Sequence, residues 1–565
     1  MKNINKFFSL VPKYIFILIL VSYFIFIPAK NNYGIYGHDS LFHAVNILAM
    51  DSNTSFFEFP SRIRPIVAKD FGYGSGIFYP QFFHFSVFII CKLVKFFHIS
   101  SISLSNCINI YLFLFTFVVS LCMRKLLYKY TANSKVSTIG AILYILYPYY
   151  INDIYVRSAY GELIVFLSLP IIFLGLFYLF DSNEKIKFYI CFVLGFHLLF
   201  SSHIISSLYT VIFVSIFLLV NRKKLFKNKN IIHLAIASFF AVLISLNYLI
   251  PILEHSILGD YLVFKNGIMS SKSNVLKSIL PLDNLLLISK ETDWLDAFIP
   301  ISLILLVGYL LINYKKIVKI VDKDNIKGYL YIFVIACILV VVPFIWKLLP
   351  SIFINIQFVW RNCSYIEFSI CVLAMIGLSI IPKKYFNIVS ISTLIISLII
   401  FLYIVYYPNH ITTYNNWISN VGSMGVQMEY LPTSTYDNLE YFNSRDNNVF
   451  VVNGNAKIKI LEDDTPNLKF KITINEETIV EIPRLYYLWY EINLLDNNKN
   501  KINLEFYENE NGFIEFLIPE SGVVTVKYKK TFISNFAFII SIISVFIFCL
   551  YLYLLYKNKK ILFII

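Results

Sequence analysis

The sequence predicts a mainly α-helical, polytopic membrane protein that carries a smaller β-sandwich before its last membrane-spanning helix. Of the 565 residues, 58% are hydrophobic and only 15% are charged, which excludes an ordinary soluble domain. Apolar runs of roughly 17–25 residues recur along most of the chain, and each is a candidate membrane-spanning helix. Near the C-terminus this pattern gives way to period-two alternation, which indicates half-buried strands.

About thirteen apolar segments can be distinguished. The first follows Lys2, Lys6 and Lys13, and no small-residue cleavage site comes after it. This favours an uncleaved anchor with a cytoplasmic N-terminus over a signal peptide. The predicted spans lie at 14–29, 82–98, 105–122, 136–152, 162–180, 187–203, 205–220, 231–252, 297–313, 328–349, 363–381, 386–406 and 532–556.

The net charge of +14 is unevenly distributed. Residues 408–530 contain 11 Lys and Arg against 17 Asp and Glu, a net charge of −6, so the remainder carries +20. Basic clusters at the ends of spans follow the positive-inside rule, which explains the charge better than nucleic-acid binding does. We therefore expect a polytopic domain at 1–407, an extracellular β-rich domain at 408–531, and a final helix with a basic cytoplasmic tail at 532–565.

The predicted topology contains one conflict. Counting forward from the N-terminus places the loop at 30–80 outside the cell. Counting back from the C-terminus reaches the same side only if one apolar run between Phe82 and Tyr150 does not cross the membrane. That run is a re-entrant segment, a juxtamembrane helix or two half-helices. Irregular backbone at membrane depth is tolerated where it is buried in protein or lines a cavity.

The first outer loop, 30–80, contains the strongest candidate for a catalytic site. In Gly37-His38-Asp39-Ser40-Leu41-Phe42-His43, two imidazoles and a carboxylate lie within seven residues. If a helix begins here, Asp39 and His43 share one face, which suits a general base or a cation site. A polar loop that merely leaves the bilayer is the alternative. Asp39 is the first choice as base, with His43 or His38 as alternatives. Whether a divalent cation takes part is open, and Asp39 and His43 would then be its ligands.

Other outer segments carry further candidates. Arg64, Arg157 and Arg361 are cations near the interface that could hold a phosphate, and Arg361 could instead simply direct its charge toward water. Arg157 with Glu162 could equally be a surface ion pair of little energetic value. The remaining site candidates are Tyr79 in a glycine-rich aromatic segment, His203 in a polar turn between two spans, and Glu254 at a helix end.

The C-terminal segment shows the alternation of strands. Ala456-Ile458-Ile460, Phe470-Ile472-Ile474 and Val524-Val526-Tyr528 alternate with polar residues, and Asn453-Gly454 and Asp496-Asn497-Asn498 are typical of turns. Val449–Val452 is compatible with a short buried strand. The pattern predicts a β-sandwich of about 100 residues.

The order of these motifs resembles the GT-C superfamily of membrane glycosyltransferases. It resembles more closely the YfhO-like bacterial group, which is related to membrane proteins labelled 6-pyruvoyl-tetrahydropterin synthase-related. The similar motifs are Gly-His-Asp-x-x-Phe-His at 37–43, Gly-Tyr-Gly to Phe-Tyr-Pro at 72–80, and Tyr147-Pro148-Tyr149 through Glu162. They continue with Ser202-His203, Gln357-Phe358-Val359-Trp360-Arg361, Glu429-Tyr430-Leu431-Pro432 and Pro483–Tyr490. The last motif has Leu488-Trp489 where the family more often has Pro-Gly.

The resemblance implies a multi-pass cell-membrane enzyme that moves a sugar from a polyprenyl-phosphate donor on the outer face. The acceptor would be an envelope component such as a lipoteichoic or other teichoic acid, polysaccharide, glycolipid or protein. In the family the acidic residue of the first outer loop serves the acceptor or a cation, a role that maps onto Asp39. The partners expected are a lipid-linked sugar, an envelope glycan or glycolipid, and membrane lipids, without nucleic acid. The alternatives are a transporter or flippase of envelope precursors and a non-catalytic envelope assembly protein.

Overall fold

The computed structural model describes residues 12–29, 33–52, 62–97, 103–265, 272–286, 297–348, 356–406, 411–413 and 428–564. The described chain is mostly helical, and a sandwich-like pair of β-sheets precedes the last helix. Helices α1 to α12 are Lys13–Ile25, Ser40–Ser52, Ser75–Phe78, Phe82–Phe96, Leu104–Thr131, Ser134–Ile145, Pro148–Tyr155, Ile164–Leu179, Lys185–Phe200, Ile204–Val220, Arg222–Leu225 and Asn230–Leu258. Helices α13 to α22 are Lys272–Lys277, Ile301–Ile312, Tyr314–Ile317, Lys323–Val341, Pro343–Leu348, Cys363–Leu378, Lys383–Tyr406, Thr433–Asp437, Leu439–Ser444 and Phe532–Ile564.

Six helical stretches in the described ranges are long and apolar enough to cross a membrane. Helices also occupy the other predicted spans, but those helices have 8 to 17 residues, so the number of crossings stays a prediction. The six stretches are Leu104–Thr131, Asn230–Leu258, Lys323–Val341, Val359–Leu378, Lys383–Tyr406 and Phe532–Lys557.

Helix α18, Cys363–Leu378, is buried along its whole length, whereas α22 exposes most of its side chains. A helix that is apolar on every side and surrounded by other helices forms the centre of a bundle. The exposed apolar side chains of α22 suit contact with lipid. The helical domain therefore has a protein-enclosed centre and a lipid-compatible periphery.

The run predicted as one span at 136–152 is two helices, α6 and α7, which meet at Leu146 and Tyr147. Pro148 lacks a backbone N–H and begins α7, a position where no intrahelical donor is required. Two half-helices were one of the three arrangements considered for this region. Helix α7 is buried throughout, which satisfies the condition for interrupted backbone at membrane depth.

Two antiparallel sheets form the C-terminal domain. The strands β3 to β11 are Phe450–Asn453, Ala456–Asp464, Asn467–Ile474, Thr478–Leu485, Tyr490–Asp496, Lys501–Leu504, Phe506–Glu508, Phe513–Ile518 and Gly522–Tyr528. One sheet has the strand order β3–β6–β10–β9, and the other has the order β4–β5–β11–β7–β8. Alternate residues such as Phe470, Ile472 and Val524 are fully buried, as period-two patterning predicts. The run near Val449 is instead a mostly exposed edge strand, β3, because it pairs with β6 alone.

The first outer loop is built into the C-terminal domain. Side chains of Phe71, Tyr73 and Phe78 belong to the same apolar core as the sheets. A two-stranded sheet pairs β1, Tyr33–Ile35, with β2, Ile411–Thr413. The core of the sandwich therefore draws on residues far from it in the chain, and the loop that carries Asp39 is held between the helices and the sheets.

Glu254 ties three parts of the molecule together. Its carboxylate accepts a hydrogen bond from Trp489 Nε1 at 3.3 Å and one from Ser534 Oγ at 2.6 Å. Glu254 lies on α12, Trp489 precedes β7, and Ser534 lies in the first turn of α22. This buried carboxylate thus joins the sandwich to two long helices.

Candidate functional site

A cavity of about 330 Å³ lies where the first outer loop, four segments between helices and the segment before the sandwich meet. Part of its lining is apolar and includes Ile205, Ile252 and Phe264, and part is polar. Seven of the ten side chains proposed from the sequence line this cavity: Asp39, His43, Tyr79, Arg157, Glu162, His203 and Arg361.

The backbone holds Asp39 in place before its side chain is considered. His38 N donates to Val156 O at 3.1 Å and Asp39 N donates to Arg157 O at 2.9 Å, so the loop pairs with the segment that carries Arg157. A Cβ atom at Gly37 would lie 2.6 Å from Val156 O and 2.8 Å from Ser158 N. Only glycine permits this approach, so Gly37 fixes the position of Asp39.

The carboxylate of Asp39 is available to accept a hydrogen bond from a ligand. Within the described residues, no hydrogen bond or ion pair engages it, although it is half-buried and lines the cavity. Burial raises the pKa of Asp39 above its usual 3.8, and the nearby charge of Arg157 only partly offsets that effect. A buried carboxylate with spare acceptor capacity and raised basicity is suited to taking a proton from a hydroxyl group.

Glu162 holds two guanidinium groups beside the cavity. It accepts from Arg157 Nη2 at 2.9 Å, from Arg361 Nε at 3.3 Å and from the Tyr149 hydroxyl at 2.7 Å. All three ionic side chains are at least nine-tenths buried, so this is a buried network and not the surface ion pair considered as the alternative.

Arg157 and Arg361 differ in how fully neighbouring carboxylates balance their positive charge. Arg157 is held by Asp153 at 2.5 Å and by the Tyr149 hydroxyl at 3.0 Å, in addition to Glu162. Arg361 donates to Ile356 O at 2.9 Å and makes a long contact of 3.4 Å with Gln357 Oε1. Each guanidinium donates three hydrogen bonds, but within the described residues Arg157 pairs with two carboxylates and Arg361 with one. Arg361 is therefore the guanidinium whose positive charge is less fully balanced before a ligand enters the cavity.

His43 and Tyr79 form the polar wall next to Asp39. His43 Nδ1 lies 2.8 Å from Nε2 of His84, and burial lowers the pKa of His43 to about 3, so its imidazole is neutral. The Tyr79 hydroxyl lies against Gly161, where a Cβ would come within 2.0 Å of it. His43 thus lines the same cavity as Asp39 with a neutral imidazole.

His203 combines a structural role with a place in the cavity wall. Its Nδ1 accepts from Ser206 N at 3.3 Å and lies 2.7 Å from Ser206 Oγ, which caps α10. His203 therefore caps the N-terminus of α10 and also lines the cavity.

Three proposed residues lie outside the cavity lining. His38 is exposed, and Glu254 is engaged by Trp489 and Ser534, as described above. Arg64 is fully buried and donates to Asn46 Oδ1 at 3.2 Å and to Gln81 Oε1 at 2.5 Å. Burial lowers the pKa of Arg64 to about 9. Its contacts within the first outer loop give it a role in holding that loop together.

The structure adds cavity residues that were not selected from the sequence. Glu429, Tyr430 and Gln357 line the cavity, and His84 backs His43 from outside it. Burial, followed by the charge of Asp39, raises the pKa of Glu429. Glu429 and Gln357 did stand in motifs noted in the sequence, but no local pattern showed that they face Asp39 across the cavity.

No cluster of three or more His, Cys, Asp and Glu side chains suited to a metal ion occurs within the described ranges. Asp39 and Glu429 are the carboxylates that line the cavity beside the paired Glu162. Their oxygens would suit a hard cation such as Mg²⁺.

The fold and the cavity together define a class: a mainly helical protein of membrane type whose polar cavity lies beneath a C-terminal β-sandwich. No protein-family model matches the chain, and no curated protein is similar to it. Among solved structures it is similar to the apo oligosaccharyltransferase of Archaeoglobus fulgidus, with a TM-score of 0.35 and 12% identity. The match covers 77% of this chain but only 58% of that enzyme, and at this level it carries no argument about activity.

Proposed function

We propose that the protein is a membrane glycosyltransferase of the GT-C type that uses a polyprenyl-phosphate sugar as donor. The observation that carries this proposal is that the Asp39 carboxylate, which has no hydrogen-bond or ion-pair partner among the described residues, and the Arg361 guanidinium line the same cavity. A transferase of this kind needs a base for the attacking hydroxyl and a cation for the departing phosphate. Both groups are present, and a flank of apolar side chains adjoins them.

In the proposed reaction Asp39 accepts the proton of the acceptor hydroxyl, whose oxygen attacks the anomeric carbon. The bond from that carbon to the phosphate oxygen breaks, and polyprenyl phosphate leaves with the bonding electrons. Arg361, supported by Arg157 through their shared Glu162, stabilises the charge on the phosphate. The apolar side chains Ile205, Ile252 and Phe264 offer a surface for the first isoprene units.

The acceptor is proposed to be an envelope glycan, glycolipid, teichoic acid or protein on the outer face of the membrane. The acidic segment at 408–530 and the basic clusters at helix ends support that orientation. Lipid delivery of the donor fits this side, because nucleotide sugars are not expected outside the cell. Among the described residues that line the cavity, none specifically favours the transporter alternative.

The direct test uses the purified protein in nanodiscs with a panel of polyprenyl-phosphate monosaccharides. We expect release of polyprenyl phosphate, by slow hydrolysis without acceptor and faster with envelope extract, and no use of nucleotide sugars. A flippase would move the intact lipid across a bilayer without breaking the glycosidic bond. Intact donor in every case, with the protein folded, would contradict the proposal.

The rate of donor turnover should depend on pH through Asp39. Because burial raises the pKa of Asp39 and the base must be ionised, kcat/KM should fall as pH falls through a value above 3.8. Glu429 also has a raised pKa, so the Glu429→Gln variant serves as the control and should keep the acid limb. A profile that is flat down to pH 4, or an acid limb that disappears only in the Glu429 variant, would assign the titration elsewhere.

Substitution of Gly37 should damage the site without touching its chemistry. In Gly37→Ala the new methyl group meets the backbone at Val156 and Ser158, so the loop must shift and carry Asp39 with it. A misplacement of about 1 Å can cost roughly 100-fold in rate. Gly308→Ala is the matched control, because no atom lies within 4 Å of a Cβ there, and its turnover should be unchanged. Equal turnover in both variants would show that Asp39 does not depend on this approach.

A further inference from the structure

The outer face of the five-stranded sheet is strongly basic, although it belongs to an acidic segment. Seven lysines and three acidic residues point outward from it. The rest of residues 408–530 then holds four basic and fourteen acidic residues. The net charge is therefore about +4 on this sheet face and about −10 on the rest of the segment. The ten outward residues are Lys457, Lys459, Lys469, Lys471, Lys501, Lys527, Lys529, Glu462, Asp464 and Glu491.

Strand register arranges these side chains in rows. Lys459 pairs with Lys471, and Lys471 pairs with Val523 on the central strand β11. In the next row Lys469 and Asn493 flank Thr525, and Asn503 follows Asn493. Adjacent strands lie about 4.8 Å apart, so cations and amides recur at that spacing across the sheet.

Part of the positive charge on this face is unbalanced. Lys469 pairs with Glu462 at 2.9 Å, and Lys501 and Lys529 share Glu491. Within the described chain, Lys457, Lys459, Lys471 and Lys527 form no ion pair. Two shallow cavities of about 320 and 490 Å³ lie on this face, on either side of β11. Their linings include lysine, asparagine and threonine side chains, which donate hydrogen bonds to anionic and hydroxyl oxygens, together with the carboxylates Glu462, Asp464 and Glu491.

We infer that this sheet face, which we name the basic face, binds a linear anionic polymer that carries phosphate groups. The positive charge of the face favours an anionic ligand, and the length of the face favours a polymer over a single small anion. Val523 precedes Lys529 by six residues, which is a distance of about 20 Å along the strand. The row at Val523 therefore lies about 20 Å farther from the start of α22 than Lys529 does. A layer of lipid headgroups would meet the Lys529 end, whereas a polymer can follow the whole face. This inference does not rest on the proposed enzyme activity.

The test measures binding of inorganic polyphosphate to the full chain in phosphatidylcholine nanodiscs. The variant K459Q/K471Q/K527Q removes three exposed charges that form no ion pairs, so folding should be preserved, as thermal unfolding will check. Exposed ionic contacts contribute about 0.2–1 kcal/mol each, which predicts binding weaker by about 3-fold to 150-fold. The slope of log K against log salt concentration should fall by about two to three.

The matched control is K315Q/K316Q/K319Q, which removes three exposed lysines from the region between α14 and α16. Its affinity for polyphosphate should equal that of the unaltered protein. Neutral dextran should not bind to either variant. Equal weakening in both lysine variants, or no binding by the unaltered protein, would overturn the inference.

Phosphatidylglycerol vesicles distinguish the two possible sources of phosphate, a polymer and a layer of lipid headgroups. Loss of vesicle binding in K459Q/K471Q/K527Q with unchanged polyphosphate binding would make the face a lipid-binding surface and overturn the polymer assignment.

Discussion

Asp39→Asn should abolish sugar transfer while leaving expression and membrane insertion intact. Asparagine keeps the size of the side chain, and the backbone bond from residue 39 to Arg157 O does not depend on the carboxylate. What is lost is the base. Positioned general bases contribute roughly 100-fold to 10,000-fold to rate, so kcat should fall by about that factor with little change in donor affinity. The measurement is release of polyprenyl phosphate by purified variants in nanodiscs.

Asp70→Asn is the matched control for this experiment. Asp70 lies in the same outer loop, is exposed, and does not line the cavity. Its variant should turn over donor at the rate of the unaltered protein. If Asp39→Asn also did so, the catalytic role of Asp39 would be excluded, and Glu429 would become the carboxylate to test, since it also lines the cavity.

Arg361→Ala should raise the donor concentration needed for half-maximal rate by about 10-fold to 150-fold. A hydrogen bond to a charged group is worth about 1.5–3 kcal/mol, and about 1.4 kcal/mol is a factor of ten. Arg361→Lys should fall in between, because lysine offers a point charge and not a planar fork. The requirement for acceptor should change little. Glu162 keeps Arg157 and Tyr149 as partners after the substitution, so the network need not collapse.

Arg361 is a cleaner probe than Arg157. Removing Arg157 would leave both Asp153 and Glu162 without their main cationic partner, and an unpaired buried charge is strongly destabilising. Arg222→Ala, in the exposed basic cluster after α10, controls for a general loss of positive charge. An unchanged donor dependence in Arg361→Ala would make Arg361 a residue that only organises Glu162. The phosphate role would then fall to Arg157.

Much of the candidate site could be assembled from short motifs. Asp39, Tyr79, Arg157 and Arg361 stood out because charged and aromatic groups at the ends of apolar runs need an explanation. The structure places all four around one cavity. By contrast, Arg64 carried the same local signal but is engaged by Asn46 and Gln81. A local pattern shows that an arginine lies near the interface, but it does not show which acceptors lie within its reach.

The sequence by itself determined the class of fold: apolar runs that become helices, and a period-two segment that becomes two sheets. These features follow from the burial of side chains at a fixed local spacing, which can be read without knowing the partners. Only the tertiary structure decided that Glu429 faces Asp39's cavity, that His84 backs His43, and that seven lysines share one sheet face. Those arrangements depend on segments that meet across long stretches of chain and on strand register, which local periodicity does not specify.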